Sequence, residues 1–448
     1  MKTATGRGAV VTGIPTRITD PFGPDARWTG LSATVLTLCF LINGMDGANV
    51  MAMSYLAPVI ARDWHLSSTV LGFVFSSLLV GMGIGGLFIA PLADRYGRRK
   101  LVLICLLLMA TGMILTGIAQ SIVAFAISRA IVGLGIGTVL ACMSALVYEF
   151  APARNRSAAV AFLQAGYPIA AAISGFVTVW ALGHFSWRSI MIFAGVVTLA
   201  CFPVTFALLP ESVGFLLHAQ PRNALDIVNR IRQRMHAVPL DSLPELSEAA
   251  PPRAHLSVLL SSHLRRNTLL LWSAIFCGFF VLYSVISWIP RLAIEAGLDT
   301  NSGIVAGAIY NGGAFAGTFA ISLLTRRADL RKLVFFFLLA AAVFLMIYGH
   351  TPAPAALVLA NSFAVGVTLQ GGFNGIYPLA SSVYPVRVRS TGIGCGIGIG
   401  RAGAIAGPLV TGYLLSTRVD LSVLFLILAA PLTIASISCL VLERASAD

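Results

Sequence analysis

A chain of 448 residues that is 57% hydrophobic and only 10% charged, with a mean hydropathy of +0.88, cannot be a soluble globule, in which about a quarter of residues are charged. It reads as an all-α polytopic membrane protein. Its net charge of +13 therefore reports which loops face the cytoplasm, with anionic membrane lipid as a partner surface; no soluble domain offers a basic face, so nucleic acid is excluded as a partner.

In chain order, residues 1–28 carry Lys2, Arg7, Arg17 and Arg27 among Gly and Pro, lack an apolar core with a cleavage site, and read as a disordered cytoplasmic tail. Twelve apolar stretches follow, near 30–58, 67–92, 101–120, 122–147, 157–181, 188–209, 269–293, 303–325, 331–349, 354–380, 390–416 and 421–442. Each is long enough to cross ~30 Å of hydrocarbon as a helix of roughly 20 residues. They form two six-helix bundles, 29–210 and 269–442, joined by a cytoplasmic linker, 211–268, and ending in a cytoplasmic tail, 443–448. The linker holds an amphipathic helix around 221–236 and then a stretch rich in Pro, Glu and Ser.

Span 1 contains the one carboxylate near the middle of an apolar stretch, Asp46. An ionisable group there is costly and marks a proton or substrate pathway by default. Asn43, Asp46 and Asn49 recur every three residues and share a helical face. Arg129 lies within span 4 at a similar depth, and an Asp46–Arg129 pair, made in one state and broken in another, is the expected proton-coupling unit. A carboxyl that alternates between dry surroundings and a guanidinium takes up and releases a proton. The competing reading is a fixed structural role, with Arg129 bonding backbone carbonyls. Gln164 and Tyr167 in span 5, Tyr283 in span 7, Tyr310 and Asn311 in span 8, and Gln370 and Asn374 in span 10 supply amides, hydroxyls and rings to a substrate, or else bond neighbouring helices. Arg401 sits in a glycine-rich run of span 11, where a guanidinium able to grip a carboxylate bidentately points to an anionic substrate. The seven cysteines follow no CxxC spacing and read as small buried hydrophobes.

The segments assigned to the cytoplasm hold 24 of the 30 Lys and Arg; the opposite loops hold Arg62, Arg188, Arg291 and Arg418. That asymmetry places both termini inside. The halves also echo one another. Pro152 to Ser157 and Pro385 to Ser390 share P-x-R-x-R-S at an offset of 233, and Gly86, Phe88, Leu92 and Arg95 match Gly317, Phe319, Leu323 and Arg326 at 231. Parallel repeats with a substrate site near the midplane are a known transporter plan.

These residues name a family. ADRYGRRK (Ala93 to Lys100) resembles the loop signature of the major facilitator superfamily, and RAIVGLGIG (Arg129 to Gly137) its fourth-helix motif. Within it, Met45 to Pro58 and Gly398 to Pro408 resemble the first and eleventh helices of aromatic acid:proton symporters. The resemblance implies proton-coupled uptake of a small aromatic carboxylate, of benzoate or hydroxybenzoate type, by alternating access. It also implies a cytoplasmic gate of Asp94, Arg95, Arg98, Arg99, Glu149, Arg154, Arg156, Arg387 and Arg389, whose charge network holds the inside closed. Asn49 replaces a second acid of the family's first-helix motif, and Thr325 and Ser382 replace acids of the second-half loops, so the latch should be asymmetric.

No cofactor is expected beyond the proton as coupling ion, and no metal site. All seven histidines lie in loops or at span ends, and no Walker, zincin or nucleophile-elbow motif occurs, which excludes an enzyme. A proton-driven exporter of drugs or metabolites is the alternative function, and a sensor that moves nothing the third. Few Lys, many Arg and abundant Ala suggest a bacterial inner membrane, and a monomer is expected.

Overall fold

A computed structural model describes residue 22 and residues 27–244, 256–349, 354–417 and 419–443. The rest of the 1–28 tail, much of the Pro, Glu and Ser-rich part of the linker, Arg418 and the tail after residue 443 lie outside the described residues. Among the described residues, twelve helices are long and apolar enough to cross a membrane: span 1 (Gly30–Asp63), span 2 (Ser68–Tyr96), span 3 (Arg98–Ile118), span 4 (Ile122–Phe150), span 5 (Ala153–Leu182), span 6 (Trp187–Leu208), span 7 (Arg265–Glu295), span 8 (Thr300–Leu324), span 9 (Leu330–Tyr348), span 10 (Ala355–Val383), span 11 (Thr391–Ser416) and span 12 (Leu421–Val441). All twelve coincide with the predicted stretches to within a few residues.

Polar residues at the turns start many of these helices. Ser67, Ser121 and Ser186 accept from the backbone N–H three residues on, at 3.4, 3.2 and 3.3 Å, and Asp299 accepts from Asn301 and Ser302 at 3.0 and 3.4 Å. Each satisfies donors that a helix start leaves open. Spans 2 and 10 each contain a π-helical turn, Gly85–Ile89 and Gly366–Gln370.

The halves repeat one another in packing, with Gly85, one residue before the Gly86 of the sequence echo, as the counterpart of Gly317. In the first half a methyl at Gly81 would strike the carbonyl of Ala130, at Gly85 that of Leu134, and at Gly133 that of Leu78. In the second, Gly313 faces the Phe363 carbonyl, Gly317 that of Val367, and Gly366 that of Tyr310. Each glycine and each carbonyl is displaced by 232 or 233 residues from its counterpart, so spans 2 and 4 meet as spans 8 and 10 do. Backbones this close admit no side chain between them.

The amphipathic linker helix is present at Ala224–Arg234, but it is docked. Val228, Ile231 and Met235 are buried, and the hydroxyls of Thr29 and Ser32 donate to Met235 Sδ at 3.1 and 3.5 Å. The start of span 1 covers its apolar face. Phe22 is buried as well, its ring 5.6 Å from that of Phe150 at the end of span 4, so at least this residue of the expected disordered tail is packed.

Among the described residues, every hydrogen bond between the two halves lies at one end of the bundle, where spans 1 and 2 turn and spans 7 and 8 turn. Ser54 Oγ donates to the carbonyls of Ile286 and Ser287 at 2.8 and 2.9 Å, and Ser76 Oγ to that of Ile405 at 2.8 Å. Asn311 Nδ2 donates to Tyr55 Oη at 3.3 Å, and Thr69 to Ser416 at 2.8 Å. The Phe75 and Trp288 rings meet edge to face, 5.1 Å apart.

Candidate functional site

Asp46 is 1% exposed, and neither carboxylate oxygen finds a hydrogen-bond partner. It lies within electrostatic reach of Cys105 in span 3 and Tyr167 in span 5. The expected partner is engaged elsewhere. Arg129, fully buried at 0% exposure, donates through Nη2 to the Asn49 carbonyl at 3.2 Å and through Nη1 to Met113 Sδ at 3.2 Å, while its Nε has no partner. The Asp46–Arg129 pair is thus unmade in this conformation, because the guanidinium is drawn one turn further along span 1 by a backbone acceptor.

The shared face of span 1 is also occupied differently from the expected cavity lining. Asn43 Nδ2 donates to the Leu163 carbonyl at 2.8 Å and Asn49 Nδ2 to Thr198 Oγ1 at 3.2 Å, so these amides knit span 1 to spans 5 and 6. Asp46 is left between them as the one unsatisfied group. Gly47, pressed against the backbone of Tyr167, brings span 5 close enough to exclude solvent.

The second half contributes an aromatic wall. Phe279 stacks on Tyr283 with ring centroids 5.9 Å apart and planes within 3°, Phe373 meets Phe279 edge-on at 4.8 Å, and Tyr377 meets Phe373 at 5.6 Å. The Arg401 guanidinium lies 5.7 Å from the Phe279 centroid, within electrostatic reach of Tyr377, and its Nη1 is buried without a partner. An aromatic face attracts a cation without satisfying its N–H donors. Arg401 therefore presents unused donors beside a stack of rings.

Tyr167 lies between the two parts, with Asp46 and Tyr55 of the first half and Tyr283 and Tyr310 of the second in its electrostatic neighbourhood. Tyr310 is fully buried with an unpartnered hydroxyl. Asn311 is committed to Tyr55 and to the Gly307 carbonyl, at 3.3 and 2.9 Å. Gln370 donates to Asn374 at 3.1 Å and Asn374 to Thr318 at 2.8 Å, a chain tying span 10 to span 8. Gln164 is exposed and joins none of these groups. Phe279, Phe373 and Tyr377 were not singled out from sequence; the available signal was two aromatic pairs at i,i+4, 279 with 283 and 373 with 377.

The predicted gate residues gather at the other end, but within the first half. Arg98 pairs with Glu149 and donates to Ser212 Oγ at 3.2 Å; Ser212 Oγ in turn donates to Glu149 at 2.8 Å. Glu211, not predicted, accepts from the backbone N–H of Arg99 and of Ser212 at 2.9 and 2.8 Å beside Gly97, whose φ of +99° suits glycine. Asp94 reaches Arg98 only at 3.6 Å with its side chain 77% exposed. Arg95 lies over Tyr96 and Arg156 over Tyr148, at 5.5 and 5.0 Å, and Arg154 is exposed. Arg389 donates to the Tyr384 carbonyl at 3.3 Å, and the Arg387 side chain lies outside the described residues. The network links spans 2, 3 and 4 to the segment after span 6, an inter-helix charge network of the expected kind confined to the first half. In the second half Thr325 and Ser382 turn back onto their own helices, donating to the carbonyls of Ser322 and Leu379.

Comparison with known proteins agrees with this architecture. The family model for the Major Facilitator Superfamily matches residues 36–367. The chain is 30% identical to the 3-(3-hydroxy-phenyl)propionate transporter of Escherichia coli, over 85% of this chain and 86% of that protein. It is 29% identical to a gallate transporter of Pseudomonas putida, over 91% and 90%, and to a 4-hydroxybenzoate transporter of Acinetobacter baylyi, over 93% and 92%. Among solved structures, a D-xylose-proton symporter superposes with a TM-score of 0.71 at 17% identity, covering 92% of this chain and 98% of that one.

Proposed function

The chain belongs to the major facilitator superfamily and is a multi-pass membrane transporter rather than an enzyme, and we propose that it moves a small aromatic carboxylate in symport with protons by alternating access. The observation that carries this reading is the Arg401 guanidinium, its Nη1 unpartnered, beside the stacked rings of Phe279 and Tyr283. A benzoate-like anion matches both features. Its carboxylate takes the free donors in charge-assisted bonds, and its ring packs on the wall. The names of the similar transporters, for gallate, 4-hydroxybenzoate and 3-(3-hydroxy-phenyl)propionate, support the same class.

Asp46 is the proton carrier in this reading. A carboxyl with no partner, away from solvent, is placed to carry a proton, and it must meet solvent or a guanidinium to release it. Its position in the first half, with the carboxylate receptor in the second, lets one relative movement of the halves change both environments. The seam of hydrogen bonds at Ser54, Tyr55, Thr69 and Ser76 closes the outer side, and the basic end with the Arg98–Glu149 network faces the cytoplasm, both assigned from the distribution of Lys and Arg. The described conformation is then the one open inward. A monomer in a bacterial inner membrane suffices for this mechanism.

The test is uptake of labelled benzoate, hydroxybenzoates, phenylpropionates and muconate, with a cationic dye as control, into proteoliposomes under an imposed pH gradient. Accumulation of an aromatic acid that disappears in Asp46→Asn is the expected result. Expulsion of the dye with no acid accumulated would overturn the reading in favour of an exporter.

A further inference from the structure

The seam between the halves encloses a small void beside Arg129. A cavity of about 10 Å³ is lined by Val50, Ser54, Phe75 and Arg129 from the first half and by Tyr283 and Ser287 from the second, among others. One water needs about this much space, together with two to four polar partners. The lining provides them. Arg129 is fully buried with Nε unpartnered, and one of its two bonds goes to a thioether, a weak acceptor. Ser54 uses its proton on the carbonyls of Ile286 and Ser287, which leaves its oxygen free to accept. Tyr283 and Ser287 add hydroxyls from the other half.

A buried guanidinium with unmade bonds costs more than an apolar void of the same size, because desolvation of a charged donor is left uncompensated. A dry cavity here would therefore set an unsolvated cation against empty space. We propose that the cavity holds one ordered water, accepting from Arg129 and bonded to hydroxyls of both halves. The site exists only while the seam is closed. When the halves part at this end, the same water is the first to exchange with solvent, and Arg129 passes from one fixed molecule to bulk. The proposal does not depend on what is transported.

Radiolytic hydroxyl-radical footprinting of the intact protein in water enriched in oxygen-18 tests it, since radicals form on bound water and oxidise the side chains it touches. Phe75 is 5% exposed and lines the cavity; Phe425 is 1% exposed and lies elsewhere in the second half. Phe75 should be oxidised several-fold faster than Phe425, and Val50→Ile, which adds a methylene to the cavity, should bring it down to the Phe425 rate. Val50→Ala, which enlarges the cavity and admits more water, should raise the Phe75 rate further, and an unchanged rate there counts against the proposal if the isoleucine variant fails to fold. Equal rates for Phe75 and Phe425 in the intact protein, or fast labelling that survives a folded Val50→Ile and so arises outside the cavity, would overturn the proposal.

Discussion

The two halves share a scaffold and differ in what they mount on it. Glycines 81, 85 and 133 seat spans 2 and 4 against each other as glycines 313, 317 and 366 seat spans 8 and 10. Yet the residue 233 positions after Asp46 is Phe279, so where the first half buries an unsatisfied acid the second presents a ring. Likewise the residue 233 positions before Arg401 is Pro168, and 233 after Arg129 is Ser362. The close glycine contacts tolerate no change in either copy, whereas the positions facing the midplane were free to diverge. On the proposed function this difference is a division of labour, with proton chemistry on one half and anion recognition on the other.

Removing the acid should break that division most completely. Asp46→Asn is expected to reduce gradient-driven accumulation to background while substrate exchange across the membrane without a gradient persists; loss of both together would mean that Asp46 also recognises substrate. Arg401→Gln strikes the other half. A charge-assisted hydrogen bond contributes about 1.5–3 kcal/mol, so the half-saturating concentration should rise on the order of ten- to a hundredfold, at tenfold per 1.4 kcal/mol, with proton coupling retained.

Phe279→Ala sharpens the comparison by separating ring from charge. An aromatic contact is worth about 0.5–1.5 kcal/mol beyond area burial, so affinity for benzoate-like acids should fall several-fold more than affinity for muconate, which has no ring. Equal losses would place the wall outside the binding site. At the loop end, Glu149→Gln should slow transport more than Asp94→Asn, since Glu149 is largely buried with Arg98 and Ser212 whereas the Asp94 side chain is 77% exposed and an exposed pair contributes about 0–1 kcal/mol. Initial rates at saturating substrate would rank the two.

The smallest effect concerns Asp299, at the start of span 8. Hydrogen bonds from the Ser302 side chain and from the backbone of Ser302 and Asn301 hold its carboxyl below the ordinary value of 3.8. A lowered folded-state value means stabilisation that is present at neutral pH and lost as pH falls through that lowered value. Asp299→Ala should therefore cost about 1 kcal/mol as a lost helix cap, read as a slightly lower melting temperature at pH 7 with no change in substrate specificity.

The spans, the repeat and the burial of Asp46 and Arg129 were legible because membrane burial leaves a strong imprint: apolar runs of span length, and few charges inside them. Partnering was not. Whether Asn43 lines a cavity or bonds the Leu163 carbonyl depends on the rotation and distance of span 5, set by contacts such as Gly47 on Tyr167 that no single-sequence pattern encodes. Arg129 turned to a backbone oxygen, and main-chain acceptors carry no side-chain signature. The aromatic wall escaped notice because Phe is abundant throughout, with 26 in the chain, and a ring's function lies in its neighbours.

The seam has a consequence for genetics. Ser54 and Ser76 donate to the carbonyls of Ile286, Ser287 and Ile405, oxygens that every substitution retains. Selection can therefore see the donors on spans 1 and 2 while the accepting positions drift. A mutational scan should find these contacts one-sided, intolerant at the two serines and permissive opposite them, and a search for co-varying residue pairs across the halves would register Tyr55 with Asn311, Thr69 with Ser416 and Phe75 with Trp288 but miss the serine contacts.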